Sequence, residues 1–476
     1  MNLEKLQEWD DLIMKKVVEY GLHVYPQEFE ICDHFEMLGY MAYSGMPSRY
    51  PHWSYGKSYE REKTMYDYGV GGLPYEMVIN SNPCLAYLMR DNTELLQVLT
   101  IAHVYGHNDF FASNFTFTSS IDAQYTLEMF KNHANRVRGY MEDPSIGHEA
   151  VERILDAAHS LSLQRSRNLA TKQRSVSEQV TSKLDALRSV DDEFQNINPA
   201  VVTEMPDLSG FPLEPTQNIL EFIARYSPSL VDWERDLLQI VDTEARYFIP
   251  QIDTKIMNEG WASYWHYKIL NELELPHEMH LEFLVRHNQV LRPTPGGLNP
   301  YHLGFILWRD IERRWNEDGG LTANEPFSMH ENDTPGRKKI FAVREADRDS
   351  SFLRRFLTQE IMQELDMFQH EKRGSDRVIT KISDEESWKN VRDTLVKNVG
   401  MGSIPIIHIV DADCGGKREL VLKHEHDGRD LLIEHAEKTL IHTQTLWGRP
   451  VILETILNGK LSRLHLKDEK VKIERV

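Results

Sequence analysis

Residues 91–112 read DNTELLQVLTIAHVYGHNDFFA. Asp91, Asn92 and Thr93 offer N-cap oxygens, and Leu95, Leu96, Leu99, Ala102, His103 and Phe110 then fall on or near one stripe at helical spacing. The pattern predicts a helix whose apolar stripe also carries His103 and His107. Positions i and i+4 of a helix share a face about 5–6 Å apart, so two imidazoles placed there can reach one metal ion. Buried imidazoles need polar partners. A metal or carboxylates would supply them, and so would ordinary hydrogen bonds inside a core. Spacing and burial alone leave those two readings equal.

A second stretch bears on the choice. Residues 255–267, KIMNEGWASYWHY, form an apolar and aromatic helix interrupted by Glu259 and His266. A carboxylate in such a setting is costly unless it is paired or ligated. Seven residues rise about 10.5 Å along a helix, so Glu259 and His266 cannot easily hold the same ion. One is expected to be a ligand and the other to stand behind a ligand. His103, His107 and Glu259 then make a set of two histidines and one carboxylate, which leaves open coordination positions and suits zinc-dependent hydrolysis or Fe(II) oxygen chemistry. In zinc peptidases with an HExxH helix, a Glu after the first His is the general base, and here that position is Val104. Asp109, Glu149, Glu152 and His159 are the candidates to replace it. Other histidines are weaker signals. His277, His280 and His287 could line the same cavity, with the first two at the surface, and His424 to His426 reads as a solvated strand end.

Working outward, residues 1–163 read as mainly helical, beginning with the spacing of Leu3, Leu6, Trp9, Leu12 and Ile13. The aromatic, Gly- and Pro-rich run from Tyr43 to Tyr75 is expected to be a long ordered loop or short strands, and Asn80 to Pro83 to precede a short helix. Helices are expected at 121–140 and 147–163. Residues 164–215 are polar with Pro towards the end, the composition of an inserted segment or linker. A second helical part, 216–374, has helices at 233–249, broken at Pro250, then at 252–273, 301–315 and 351–368. Residues 375–476 differ in kind. Strands at 405–410, 420–422 and 451–456, with a helix at 431–447, predict a small α/β (α+β) domain with a mostly antiparallel sheet. The fold class is therefore mainly α, a large helical body with a small C-terminal domain.

Composition narrows the function classes. The chain has 476 residues, with 54 basic and 74 acidic side chains and a formal charge of −20. A protein that binds duplexes or anionic membranes usually presents the opposite balance, so neither nucleic acid nor membrane is an expected partner. Three dispersed cysteines, Cys32, Cys84 and Cys414, fit a reducing compartment. With no signal-peptide run and no apolar stretch of about 18 residues, a cytoplasmic location is expected. GxSxG, P-loop and GxGxxG patterns are missing, which removes support for serine hydrolase, NTPase and Rossmann readings.

Several long motifs occur together and in order: YSGMPSRYPHWSYGK at 43–57, INSNPC at 79–84, AHVYGHNDFF at 102–111, NEGWASYWHY at 258–267 and NPYHLGF at 299–305. On these the chain resembles the SpoVR (stage V sporulation protein R) family over nearly its whole length. The resemblance implies a role in endospore formation, in making the spore cortex. It also implies association with a PrkA-type serine kinase and a YhbH-type protein. A second likeness is local. Glu-Gly-Trp-Ala on a helix downstream of an HxxxH helix is similar to the third-ligand helix of gluzincin-like metallopeptidases, from which Val104 departs. The expected centre therefore has His103, His107 and Glu259 on one divalent ion, zinc foremost and iron or manganese as alternatives. His266 stands behind it, the aromatic segment around His52 and Trp53 walls the cleft, and the chemistry is hydrolysis of an amide-type bond. The rival expectation is a non-catalytic scaffold or regulatory partner in a kinase-linked complex, with the histidine pair structural.

Overall fold

Several helix starts are marked by a side chain that accepts from the free N–H groups of a first turn. Thr93 Oγ1 accepts from Leu96 N at the head of the His103 helix, and Asp33 makes a capping box with Glu36. The computed structural model describes residues 3–70, 73–120, 122–167, 174–195, 210–293, 297–317, 334–365, 367, 369–373, 376–381, 387–467 and 470–475. In chain order the first elements are α1 (Leu3–Glu19), β1 (Gln27–Cys32), α2 (His34–Ala42), α3 (Trp53–Asp67), β2 (Glu76–Ile79), β3 (Cys84–Met89), α4 (Glu94–Ser113), α5 (Phe115–Thr118) and α6 (Thr126–Glu142). Then come α7 (His148–Leu161), α8 (Val176–Gln195), α9 (Ile219–Tyr226), α10 (Asp232–Asp253), α11 (Lys255–Glu272), α12 (His277–Val290), α13 (Pro300–Glu317), α14 (Pro335–Ala346), α15 (Asp349–Phe356) and α16 (Gln359–Glu364). The chain ends with β4 (Gln369–Arg373), β5 (Asp376–Lys381), α17 (Ser387–Asn398), β6 (Ile407–Cys414), β7 (Glu419–His424), α18 (Ile433–Trp447), β8 (Val451–Leu457), β9 (Lys460–Lys467) and β10 (Lys470–Arg475). The fold is mostly helical, with a small C-terminal sheet domain.

Two compact units result, one of residues 1–138 and 246–403, the other of 139–245 and 404–476. In the first, α4 is the axis. Every residue from Leu95 to Ala112 is buried. It is thus wrapped on all sides rather than along one stripe, as a helix central to a core must be. α11 packs on α4 and on α13, and its Trp261, Tyr264 and Trp265 are fully buried with Trp308, Phe283 and Phe352. The backbones approach closely where glycines permit it. A Cβ on Gly106 would lie 2.6 Å from Ala262 Cα, and one on Gly260 would lie 2.4 Å from Gly304 Cα. β3 is the middle strand of a three-stranded sheet, parallel to β1 and antiparallel to β2. Its run CLAYL is buried throughout, as a strand covered on both faces should be.

In the second unit the five-stranded sheet has the order β10-β9-β8-β7-β6. All neighbours are antiparallel except β7 and β8, which are parallel with α18 as the crossover. α18 packs on α7, Trp447 Nε1 donates to Arg418 O at 2.7 Å, and Ile409 of β6 bridges to Thr216. β9 and β10 had no counterpart in the sequence reading.

Four expectations need correction. The aromatic run is not free of helix: α3 occupies Trp53–Asp67, because no proline follows Pro51 there and the one internal glycine, Gly56, costs only about 1 kcal/mol. Asn80 to Pro83 leads into strand β3, not a helix, since its residues pair on both sides. Pro250 does not end its helix. α10 continues through it for one more turn, and Thr254 Oγ1 donates to Pro250 O just beyond. The helix expected at 351–368 breaks at Leu357, and Thr358 caps the separate α16. Of the polar segment 164–215, residues 168–173 and 196–209 lie outside the described ones, and α8 occupies part of the remainder. No helix among the described residues is long and apolar enough to cross a membrane.

Candidate metal centre

α4 sets His103 and His107 one turn apart with ring centroids 4.6 Å apart and planes nearly perpendicular. Both are buried, at 3% and 7% exposure. α11 crosses at Gly106, the residue before His107, and brings Glu259 to the pair. Glu259 Oε2 lies 3.4 Å from His107 Nε2 and 3.9 Å from His103 Nε2. A fourth group comes from β2: Glu76 Oε1 lies 3.9 Å from His103 Nε2. Glu76, His103 and His107 each offer a ligand atom within 4.8 Å of the others, a set that could hold a metal ion.

The far sides of the imidazoles are engaged. His107 Nδ1–H donates to Asn258 Oδ1 at 2.9 Å, and His103 Nδ1 meets His266 Nδ1 at 2.9 Å. Such contacts hold a ring with its Nε2 aimed forward. Tyr301 of α13 stacks on His103 at 6.1 Å. The charge of Glu259, then burial, and a hydrogen bond to Glu259 keep the Tyr301 hydroxyl protonated, well above its ordinary pKa. Burial pushes the His107 imidazole down to about 4, with His103 adding to it, so His107 is neutral at pH 7. Burial drives His266 well below its usual value as well. The carboxyls diverge. Burial raises Glu76, whereas at Glu259 burial is outweighed by His103, His107 and Lys255, which hold the group below the ordinary carboxyl range.

The residues fit a divalent cation. His103 Nε2 is buried without a hydrogen-bond partner, and two carboxylates face it at 3.9 Å. Bonds of about 2.1 Å in a tetrahedral site place ligand atoms about 3.4 Å apart, close to the His107–Glu259 separation. Two nitrogens and carboxylate oxygens are the donors that zinc or Fe(II) takes.

The helices are tied together around this point. Asp349 carboxylate oxygens accept from Ile256 N and Met257 N, 2.9 Å each, capping α11 one turn before Glu259. Asp109, two residues beyond His107, is fully buried. Its Oδ1 accepts from His23 N at 2.7 Å and from Arg344 Nη1 at 2.5 Å, and its Oδ2 accepts from Trp261 Nε1 at 2.7 Å. Asp109 thus joins α4 to α11 and α14.

Among the residues singled out from sequence, the structure brings together His103, His107, Glu259 and His266. Glu149, Glu152 and His159 lie on α7, in the second unit, with Glu149 exposed and Glu152 Oε2 3.7 Å from His148 Nδ1. His52 is buried at the N-cap of α3, its Nδ1 2.7 Å from Ser54 Oγ, and Trp53 beside it is half exposed. His277 is exposed and His280 partly so, while His287 is buried against His266. Sequence reasoning missed Glu76, Asn258 and Tyr301. Tyr301 sat inside the NPYHLGF motif, a signal that was available; Glu76 had none.

A sequence model of the family described as "SpoVR like protein" matches residues 1–404, and one described as "SpoVR-like C-terminal domain" matches residues 405–458. The chain belongs to the SpoVR family. The first match spans every residue of the centre, and the second begins one residue after the C-terminal part of the second unit does. This SpoVR chain is 33% identical over 470 residues to a relative in Escherichia coli (strain K12) named "Uncharacterized protein YcgB", covering 91% of this chain and 88% of YcgB. No solved structure matches it.

Proposed function

We propose that this SpoVR protein is a metal-dependent hydrolase, in which His103, His107 and Glu259 hold one divalent ion, zinc foremost, and the bond cleaved is of the amide type. The observation that supports the reading is the convergence of three side chains from α4 and α11, and Glu76 from β2, on one buried point behind which both imidazoles are braced. Zinc bound there would polarise a carbonyl and make a nucleophile of water at neutral pH. The chain's own residues divide the remaining tasks. Asn258 takes the His107 Nδ1–H and leaves its Nε2 lone pair for the ion. Glu76 is the carboxylate on hand for the proton a hydrolysis must move, the task of the Glu that Val104 replaces. Tyr301 keeps its O–H beside Glu259 and can donate to a substrate oxygen.

A direct test uses the full chain, loaded with zinc or stripped by a chelator, on a library of peptides and N-acyl amines, with new amines detected by mass spectrometry. The reading expects products that need the metal and vanish in Glu259→Ala. Products independent of metal, or none with loaded protein, would count against it. We place the activity in sporulation and cortex formation, with a PrkA-type kinase and a YhbH-type protein as partners. Membership of the SpoVR family supports that placement.

A further inference from the structure

The two histidines of the centre are braced differently. His107 leans on an amide. His103 leans on a second imidazole, and that one on a third: His266 Nε2 meets His287 Nδ1 at 2.8 Å. The three rings come from α4, α11 and α12, with centroids 5.1 and 5.0 Å apart along the line. His266 is fully buried and His287 is 4% exposed. Tyr267, Phe283 and Phe305 box the last ring at 4.8, 5.8 and 5.1 Å.

Proton counting restricts this chain. A neutral imidazole carries one N–H and one acceptor nitrogen. Each of the two links needs one donor and one acceptor. Three protons on three rings satisfy both links in only two ways. In one, His287 Nδ1–H donates to His266 Nε2, His266 Nδ1–H donates to His103 Nδ1, and His103 is left with Nε2–H, aimed at Glu76 and Glu259. In the other every bond is reversed: His103 Nδ1–H donates to His266 Nδ1, His266 Nε2–H donates to His287 Nδ1, and His103 Nε2 carries a lone pair.

A cation can use only the second arrangement, because a ligating nitrogen cannot also hold a proton. We infer that His266 and His287 are positioning residues whose hydrogen-bond direction is switched by metal at His103, so that occupancy of the centre is coupled to α12. This inference rests on the metal reading above. Without the ion, the two carboxylates 3.9 Å away favour the first arrangement by their charge, because it turns the His103 Nε2–H towards them. With it, all three rings change tautomer together: the His103 Nε2 proton leaves, a proton crosses each of the two links, and His287 Nε2 takes one up, so the histidine row itself stays neutral and the cation gains a ligand whose other nitrogen has a fixed acceptor. His266 and His287 touch no substrate in this scheme and act only through His103.

The test is on the full chain labelled with 15N-histidine, with zinc added and after chelation, ring signals being assigned from single variants. With zinc, His266 should be protonated on Nε2 and bare on Nδ1; after chelation the pattern should reverse. Zinc affinity, from competition with a chelating dye, should fall roughly 10- to 100-fold in His266→Leu, the usual size for losing such a brace. His266→Asn keeps an acceptor at the Nδ1 position and should recover most of that loss, even if the leucine variant folds poorly. His266 protonated on Nδ1 in the zinc form, or His266→Leu binding zinc as tightly as wild type, would overturn the inference and leave the metal reading intact. Failure of the wild type to bind zinc would remove both.

Discussion

Gly106 is the position where the account is most exposed. It lies between His103 and His107, and α11 crosses there. A methyl group at Gly106 would stand 2.6 Å from Ala262 Cα and 3.2 Å from Ala262 Cβ, where ordinary contact begins at 3.4 Å. The obstacle is backbone and cannot rotate away, so α11 must retreat by about 0.8 Å, the difference between those two distances. Ala262 is three residues from Glu259 on the same helix. A retreat of that size moves Glu259 from 3.4 Å towards about 4.2 Å from His107 Nε2, whereas metal sites tolerate about 0.2 Å. Overpacking of this kind costs typically about 1–3 kcal/mol. Gly106→Ala is therefore expected to fold, to lose about 1–3 kcal/mol in denaturant unfolding after chelation, and to bind zinc at least about tenfold more weakly. Gly139→Ala is the control. It is also helical but has nothing within 4 Å of the new Cβ, so it should be neutral or gain up to about 1 kcal/mol. A folded Gly106→Ala protein with wild-type zinc affinity would refute the claim that this crossing sets the centre.

Two further outcomes follow from the buried charges. Arg344→Met strips Asp109 of the guanidinium that faces it at 2.5 Å and should cost about 3–5 kcal/mol in chemical denaturation, as an unpaired buried carboxylate does; a loss below about 1 kcal/mol would mean the pair is not the tie described. In metal-free protein, burial holds both His107 and His287 down to about 4, below the 6.5 of an exposed imidazole. The unfolded chain then takes up protons first, so the contribution of these two groups to stability is fully present above pH 6.5 and is lost between 6.5 and about 4, by about 3 kcal/mol per group. His287→Asn should show a visibly shallower fall across that window in urea titrations, and an unchanged slope would contradict the assignment of His287 as buried and neutral.

The sequence made the helical frame and half of the centre legible, because those depend on local pattern. α4 and α11 announce themselves through apolar spacing, and an HxxxH face must point one way whatever surrounds it. Glu259 stood out as a carboxylate that its own helix could not satisfy. What failed to show was decided by partners distant in the chain. Glu76 joins the centre through the pairing of β2 with β3, where it faces Leu88, and a lone Glu on a four-residue strand has no periodic context. The strand β3 was misread because its continuous apolar run fits a short buried helix equally well. Pro250 was read as a stop, yet a proline one turn from a helix end sacrifices little. His287 lies on a helix whose burial pattern is weak, and only the approach of α11 reveals its role.

The central claim is that the braced histidine pair and Glu259 hold a metal ion. The most direct measurement is elemental analysis of the full chain, purified without a histidine tag, alongside His103→Ala and Glu259→Ala. The wild type is expected to carry close to one divalent ion per chain, and both folded variants are expected to lose it. A metal-free wild type that cannot be loaded, or variants that keep their full complement, would contradict it.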